Sequence, residues 1–177
     1  MLLVIKLPSR DEQMALNRRR WGEILRDRDL ARLPYRIETN AHGQIVMNPP
    51  PSGDHSYRQS MILLRLQALL GGVPLVECPI STIDGVKAAD VGWYSDARFA
   101  QVRGQDVFEQ APEICVEVIS PSNAESEMIQ KKSLYFEAGA QEVWFCRQDG
   151  TMEFYDRDQP ETRLDGSMKG LGFPGRI

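Results

Sequence analysis

The chain reads as a mixed α/β fold built around a central sheet. Three observations predict it. Apolar residues recur at helical spacing in long segments, short β-branched and aromatic runs of strand length lie between them, and Asp-Gly or Asn-x-x-Gly groups punctuate those runs at hairpin spacing. With 177 residues, 42% of them hydrophobic and 26% charged, the chain has the composition of an ordinary globular protein with a real core. One domain over residues 1–177 is expected, with the N-terminal helix 9–27 and the tail 158–177 at its periphery.

The elements follow in order. Ser9, with Asp11 and Glu12 behind it, starts a helix that runs to about Asp27, its buried side lined by Met14, Leu16, Trp21, Ile24 and Leu25. Pro34 ends that region. Tyr35 to Met47 alternates about Asn40-Ala41-His42-Gly43, which predicts a hairpin, and the prolines between Asn48 and Gly53 predict a loop. Asp54 to Leu70 is the clearest helix, with His55, Gln59, Ile62, Leu66 and Leu69 on one stripe and Gly71-Gly72 closing it. Leu75 to Ile83 and Val86 to Tyr94 are strands around Asp84-Gly85, and Ser95 to Val102 is a short helix or loop. Pro112 to Ser120 is a strand buried on both faces. Ser122 or Asn123 caps a helix reaching about Ala138, and Glu142 to Cys146 and Met152 to Tyr155 are strands around Asp149-Gly150. The segment after Asp158 is polar and fits either one short strand or a mobile tail.

Composition also bounds function. A formal net charge of −4 and a pI near 5.3 count against a strong non-specific nucleic-acid binder, although a local basic patch suffices and a bound cation adds charge where it is needed. The three cysteines, Cys78, Cys115 and Cys146, lie in apolar strands without C-x-x-C spacing, which predicts buried reduced thiols and a cytoplasmic protein rather than disulfides or zinc. The opening run Met1–Leu7 is too short for a signal sequence and is broken by Lys6, and no stretch is long and apolar enough for a membrane span.

Two acids stand where acids are costly. Asp90, in Lys-Ala-Ala-Asp-Val-Gly-Trp-Tyr, and Glu117, in Glu-Ile-Cys-Val-Glu-Val-Ile-Ser-Pro-Ser, interrupt apolar strands, where a carboxylate needs a partner. A divalent cation between them supplies that pairing and a chemistry with it. Lys131 follows in the next helix. Alternation puts Glu117 on one face with Cys115 and Ile119. The plainer readings are an outward Asp90 at a strand end, and a buried ion pair or strand-end charge for Glu117. Lys131 stands four residues after Glu127, a pairing common on solvated faces, yet it also lies on the apolar arc, as does Lys132, and periodicity does not choose between them. His55 reads equally as a structural residue of its helix.

From about Pro34 to Asp156 the chain resembles the PD-(D/E)XK nuclease superfamily, and more closely its bacterial Uma-two branch. Four pieces carry the resemblance: the proline-rich loop with His55 opening a helix; Asp90-Val91; Val116-Glu117-Val118-Ile119-Ser120-Pro121-Ser122; and Lys131-x-x-x-Tyr135-x-x-x-Gly139-Ala140-x-Glu142-Val143-Trp144. The resemblance implies a restriction-endonuclease-like fold and a metal-dependent endonuclease acting on DNA, with Mg²⁺ or Mn²⁺ as cofactor. It implies Asp90 as bridging metal ligand, Glu117 as second ligand, the Val118 carbonyl as third, and Lys131 as the residue that orients the attacking water. His55 becomes a candidate for positioning water or phosphate, with Gln59 assisting, and Tyr135 a core aromatic whose hydroxyl bonds near the site. Two positions depart from the pattern: Ala89 replaces the usual proline, and Ile119 stands where the superfamily has its lysine, so a role for Lys131 requires that the lysine has moved to the helix. The chain contains no helix-turn-helix or zinc finger to read sequence. Arg18-Arg19-Arg20 with Arg26 and Arg28 form a basic cluster, either a phosphate contact or a solvated helix face. A homodimer is expected, since cutting both strands is simplest with two sites. The alternatives are a catalytically silent nuclease-fold protein acting as a dimeric binding or assembly module, and a phosphodiesterase acting on nucleotides or RNA.

Overall fold

The computed structural model describes residues 8–177, so the opening run Met1–Leu7 and the leader expectation attached to it lie outside the described residues. Helix α1 (Arg10–Arg26) begins in a capping box: Ser9 accepts from the Glu12 N–H, and Glu12 reaches back to the Ser9 N–H. Strands β1 (Arg36–Thr39) and β2 (Ile45–Asn48) form the expected hairpin. Ser52 caps α2 (Gly53–Leu70), which is followed by the long antiparallel pair β3 (Val73–Thr82) and β4 (Gly85–Tyr94). Then come α3 (Asp96–Val102), β5 (Ile114–Val118), α4 (Glu125–Glu137), β6 (Glu142–Cys146), β7 (Met152–Asp156) and β8 (Gln159–Leu164).

The six longer-range strands make one sheet in chain order, β3 to β8, antiparallel throughout except for β5 and β6, which are parallel and joined by α4. Each face of the sheet is covered. On one side α4 brings Met128, Tyr135 and Phe136 against Cys115, Val143 and Phe145. On the other, Ile62 and Leu66 of α2 meet Val91, Val116, Trp144 and Phe154, with Phe173 from the C-terminal segment completing the layer. That segment, which the sequence leaves open, therefore supplies the edge strand β8 and a buried aromatic packed on Trp144.

The hairpin β1–β2 lies outside this sheet and docks on β4. The Val86 N–H donates to the Thr39 hydroxyl at 2.9 Å and the Ala88 N–H to Glu38 Oε1 at 2.9 Å. A Cβ at Gly85, where φ is +83°, would overlap the carbonyl oxygen of Thr39, so only glycine permits this approach. The docking turns one face of β1 toward the interior.

Three expectations need correction. Leu25 and Leu69 are exposed. The stripe of α2 continues from Leu66 to Leu70 at i+4, and Leu25 points away from the buried Trp21 and Ile24; in α1 the buried places go instead to Gln13 and Asn17, with the Asn17 amide donating to the Thr82 carbonyl at 2.8 Å. Neither Ser122 nor Asn123 caps α4, whose cap position is Ala124 with no side-chain bond. Asn123 is already engaged, its oxygen accepting from the Ser120 N–H at 2.9 Å and the Ser120 hydroxyl at 2.8 Å. All three cysteines are buried and free, as read.

Candidate active site

The site forms where β4, β5, α2, α4 and the docked hairpin converge. Asp90, in the middle of β4, is almost wholly buried. Its Oδ2 accepts from the Val118 N–H of β5 at 2.6 Å and lies 3.3 Å from His55 Nε2 in the first turn of α2. Its Oδ1 is buried and stands 2.7 Å from Nη2 of Arg36, an ion pair that is its one close partner among the described residues. Burial works to raise the Asp90 pKa. The hydrogen bond from His55, the charges of Arg36 and His55 and the Val118 N–H outweigh burial, and the carboxyl titrates below its ordinary value. The same bond to Asp90 raises the His55 imidazole, whose Nδ1 is buried without a partner.

Glu117, on β5, points toward α4, on the side of Cys115 and Ile119 that alternation predicts. The Tyr135 hydroxyl donates to its Oε1 at 2.5 Å, and Lys131 Nζ lies 3.3 Å from Oε2. Burial dominates and pushes the Glu117 carboxyl up to about 7; Lys131 opposes this, while Asp90 and Glu38 reinforce it. Lys131 is buried too, yet Glu117 and Glu38 more than offset the cost of its burial and hold it protonated. Its second acceptor, Glu38 Oε1, is 2.9 Å away.

The structure therefore separates the two lysines. Lys132 turns away, its Nζ donating to the Pro160 carbonyl at 2.5 Å and lying 4.3 Å from the centre of the Tyr155 ring. Glu127, considered as a partner for Lys131, instead accepts from the Asn123 amide at 3.4 Å. Gln59 supports the site from behind, donating to the Asp90 carbonyl at 2.7 Å and to Glu77 Oε1 at 3.0 Å. The arginines of α1 stay outside: Arg18 pairs with Glu109, Arg20 with Glu23, and Arg26 with its own helix.

Sequence reasoning missed Arg36, Glu38 and Glu77. Arg36 and Glu38 flank Ile37 on β1, so a period of two puts both charges on one face. In an isolated hairpin that face is the solvated one, and only the docking on β4 turns it inward. Asp90, Glu117, Val118, Lys131, His55, Arg36 and Glu38 all line one cavity of about 390 Å³, rimmed by Pro49–Pro51 and by the loop Ser120–Asn123.

Comparison with known proteins identifies a family and a shared fold. A family model described as "Uma2: Putative restriction endonuclease" matches residues 27–174. A crystal structure titled as a "putative nuclease belonging to DUF820" from Anabaena variabilis superposes with a TM-score of 0.63 at 20% identity, over 77% of this chain and 82% of that one. At that identity the likeness establishes a shared fold. No curated protein matches.

Proposed function

The chain belongs to the Uma2 family, whose description is "Putative restriction endonuclease", and from that premise we propose that it is a metal-dependent nuclease hydrolysing phosphodiester bonds in DNA. One observation carries the reading: a buried carboxylate, Asp90, whose Oδ1 is met only by the Arg36 guanidinium among the described residues, lies on a cavity wall shared with Glu117 and Lys131. The donor set fits a small hard cation. Asp90, Glu117 and the carbonyl of Val118 would hold Mg²⁺ or Mn²⁺, which takes oxygen ligands and keeps several waters. Among the described residues no group of three or more His, Cys, Asp or Glu side chains is placed to hold a metal ion, so the proposed seat has two carboxylates and a carbonyl. Such an ion, when bound, polarises the phosphate and acidifies a water.

The protein's own groups supply the rest. Lys131, steadied by Glu38, donates to the attacking water and sets a fixed positive charge beside the phosphate oxygens. Tyr135 holds Glu117 in place. His55 spends Nε2 on Asp90 and keeps Nδ1 for water or phosphate. Free buried thiols suit a reducing compartment, so a cytoplasmic setting belongs to the proposal, as does a homodimer presenting two sites to a duplex. Among the described residues no helix is long and apolar enough to cross a membrane.

The test is cleavage of supercoiled plasmid and of labelled single- and double-stranded DNA and RNA with Mg²⁺ or Mn²⁺. DNA cleavage by wild type that falls about 100-fold in Lys131→Met supports the reading. Cleavage confined to RNA moves the substrate, and equal cleavage by both proteins assigns the activity to a contaminant.

A further inference from the structure

Each cation of the site is shared between one site carboxylate and one outlying carboxylate. Lys131 lies between Glu117 and Glu38, and Arg36 between Asp90 and Glu77. The second arrangement is unusual in its backbone. Strands β3 and β4 pair Val76 with Val91 and Cys78 with Ala89, which leaves Glu77 directly across from Asp90, outside the paired register. Glu77 has φ +51°, the left-handed region that side chains rarely adopt, and among the described residues it is the one non-glycine there. A residue held in that conformation is over-determined by its surroundings. Here the surroundings are Gln59, which fixes Glu77 Oε1 at 3.0 Å, and Arg36, whose Nε donates to Oε2 at 2.7 Å.

We propose that Arg36 is an internal counter-ion that closes the cation seat on Asp90, and that a divalent cation displaces only one end of its guanidinium while Glu77 retains the other, leaving Arg36 on the cavity wall as a phosphate contact. This rests on the metal site described above. The two ends of the guanidinium are unequal. The bond to Glu77 is aligned and lies outside the cavity, whereas the ion pair with Asp90 lies on the cavity wall, so the Asp90 end is the one an entering cation meets. An arginine cannot leave by losing its proton, so a competing cation is what releases it. Arg36 lines the cavity, and the freed nitrogens have a planar fork suited to phosphate oxygens.

Calorimetric titration with Mn²⁺ at fixed pH and ionic strength tests this on wild type, Arg36→Met, Arg36→Lys and Asp90→Asn, each first checked for folding by circular dichroism. Arg36→Met is expected to bind Mn²⁺ on the order of tenfold more tightly than wild type, because the ion no longer competes with a tethered charge. Arg36→Lys falls between them, since a compact ammonium does not span both carboxylates, and it carries the comparison if Arg36→Met does not fold. In both variants DNA cleavage falls despite the tighter metal. Binding by Arg36→Met no tighter than by wild type, with Asp90→Asn still losing the ion, overturns the proposal and leaves the metal site standing. Absence of Mn²⁺ binding in every protein overturns both.

Discussion

Glu117 and Glu142 are both buried acids on adjacent parallel strands, and they do different things. Glu142, fully buried on β6, accepts from the Trp144 indole at 2.7 Å, the Ser167 hydroxyl at 2.7 Å and the Lys169 N–H at 2.6 Å. Its partners are neutral, it stitches the C-terminal segment to the sheet, and it does not line the site cavity. Glu117 is held by a cation and a phenol beside two further acids, Asp90 and Glu38, and opens onto a cavity. Burial alone is thus no mark of a site. Mixed charges left open to a cavity are.

Four experiments break or sharpen that contrast. The largest effect is expected in Glu117→Gln, whose nuclease rate should drop on the order of 10³-fold, several kcal/mol of transition-state stabilisation, with little loss of thermal stability. Glu142→Ala should do the opposite. It orphans three donors and should cost about 3 kcal/mol in a denaturant titration, while the folded fraction keeps its activity. Third, Lys131→Met should lower the cleavage rate by about 100-fold, and Lys132→Met should leave cleavage close to wild type while loosening the contact with Pro160.

The fourth effect is on pH. Glu117 titrates at about 7 in the fold against an ordinary 4.5, so the native state retains a proton that the unfolded chain releases. Its contribution to metal-free stability is full below about 4.5 and is lost as pH rises through about 7. Metal affinity runs the other way. The ion must displace that proton, so Mn²⁺ affinity should rise about tenfold per pH unit below about 7 and level off above it, and Glu117→Gln should flatten the profile.

Much of this was legible in residues. Asp90 and Glu117 betray themselves as acids in apolar strands, and alternation places Glu117 on the α4 face. The hairpins around Asp84-Gly85 and Asp149-Gly150 follow from turn chemistry, and every strand predicted before Asp158 is present. Lys131 and Lys132 were inseparable because neighbouring helix positions lie about 100° apart and both border the apolar arc; only Glu38, brought in by another element, distinguishes them. Arg36, Glu38 and Glu77 were illegible because their roles depend on a hairpin docking through Gly85 and on one left-handed residue, neither of which leaves a periodic trace. The cap of α4 failed for a similar reason, since Asn123 closes its own loop.

The most direct test of the central claim, that Asp90 and Glu117 share a divalent cation, is the electron paramagnetic resonance signal of free Mn²⁺ titrated with wild type and with Asp90→Ala near pH 8. Saturable loss of the signal at about one ion per chain with wild type, abolished in the variant, is the predicted result. Equal loss with both proteins, or none with either, would contradict it.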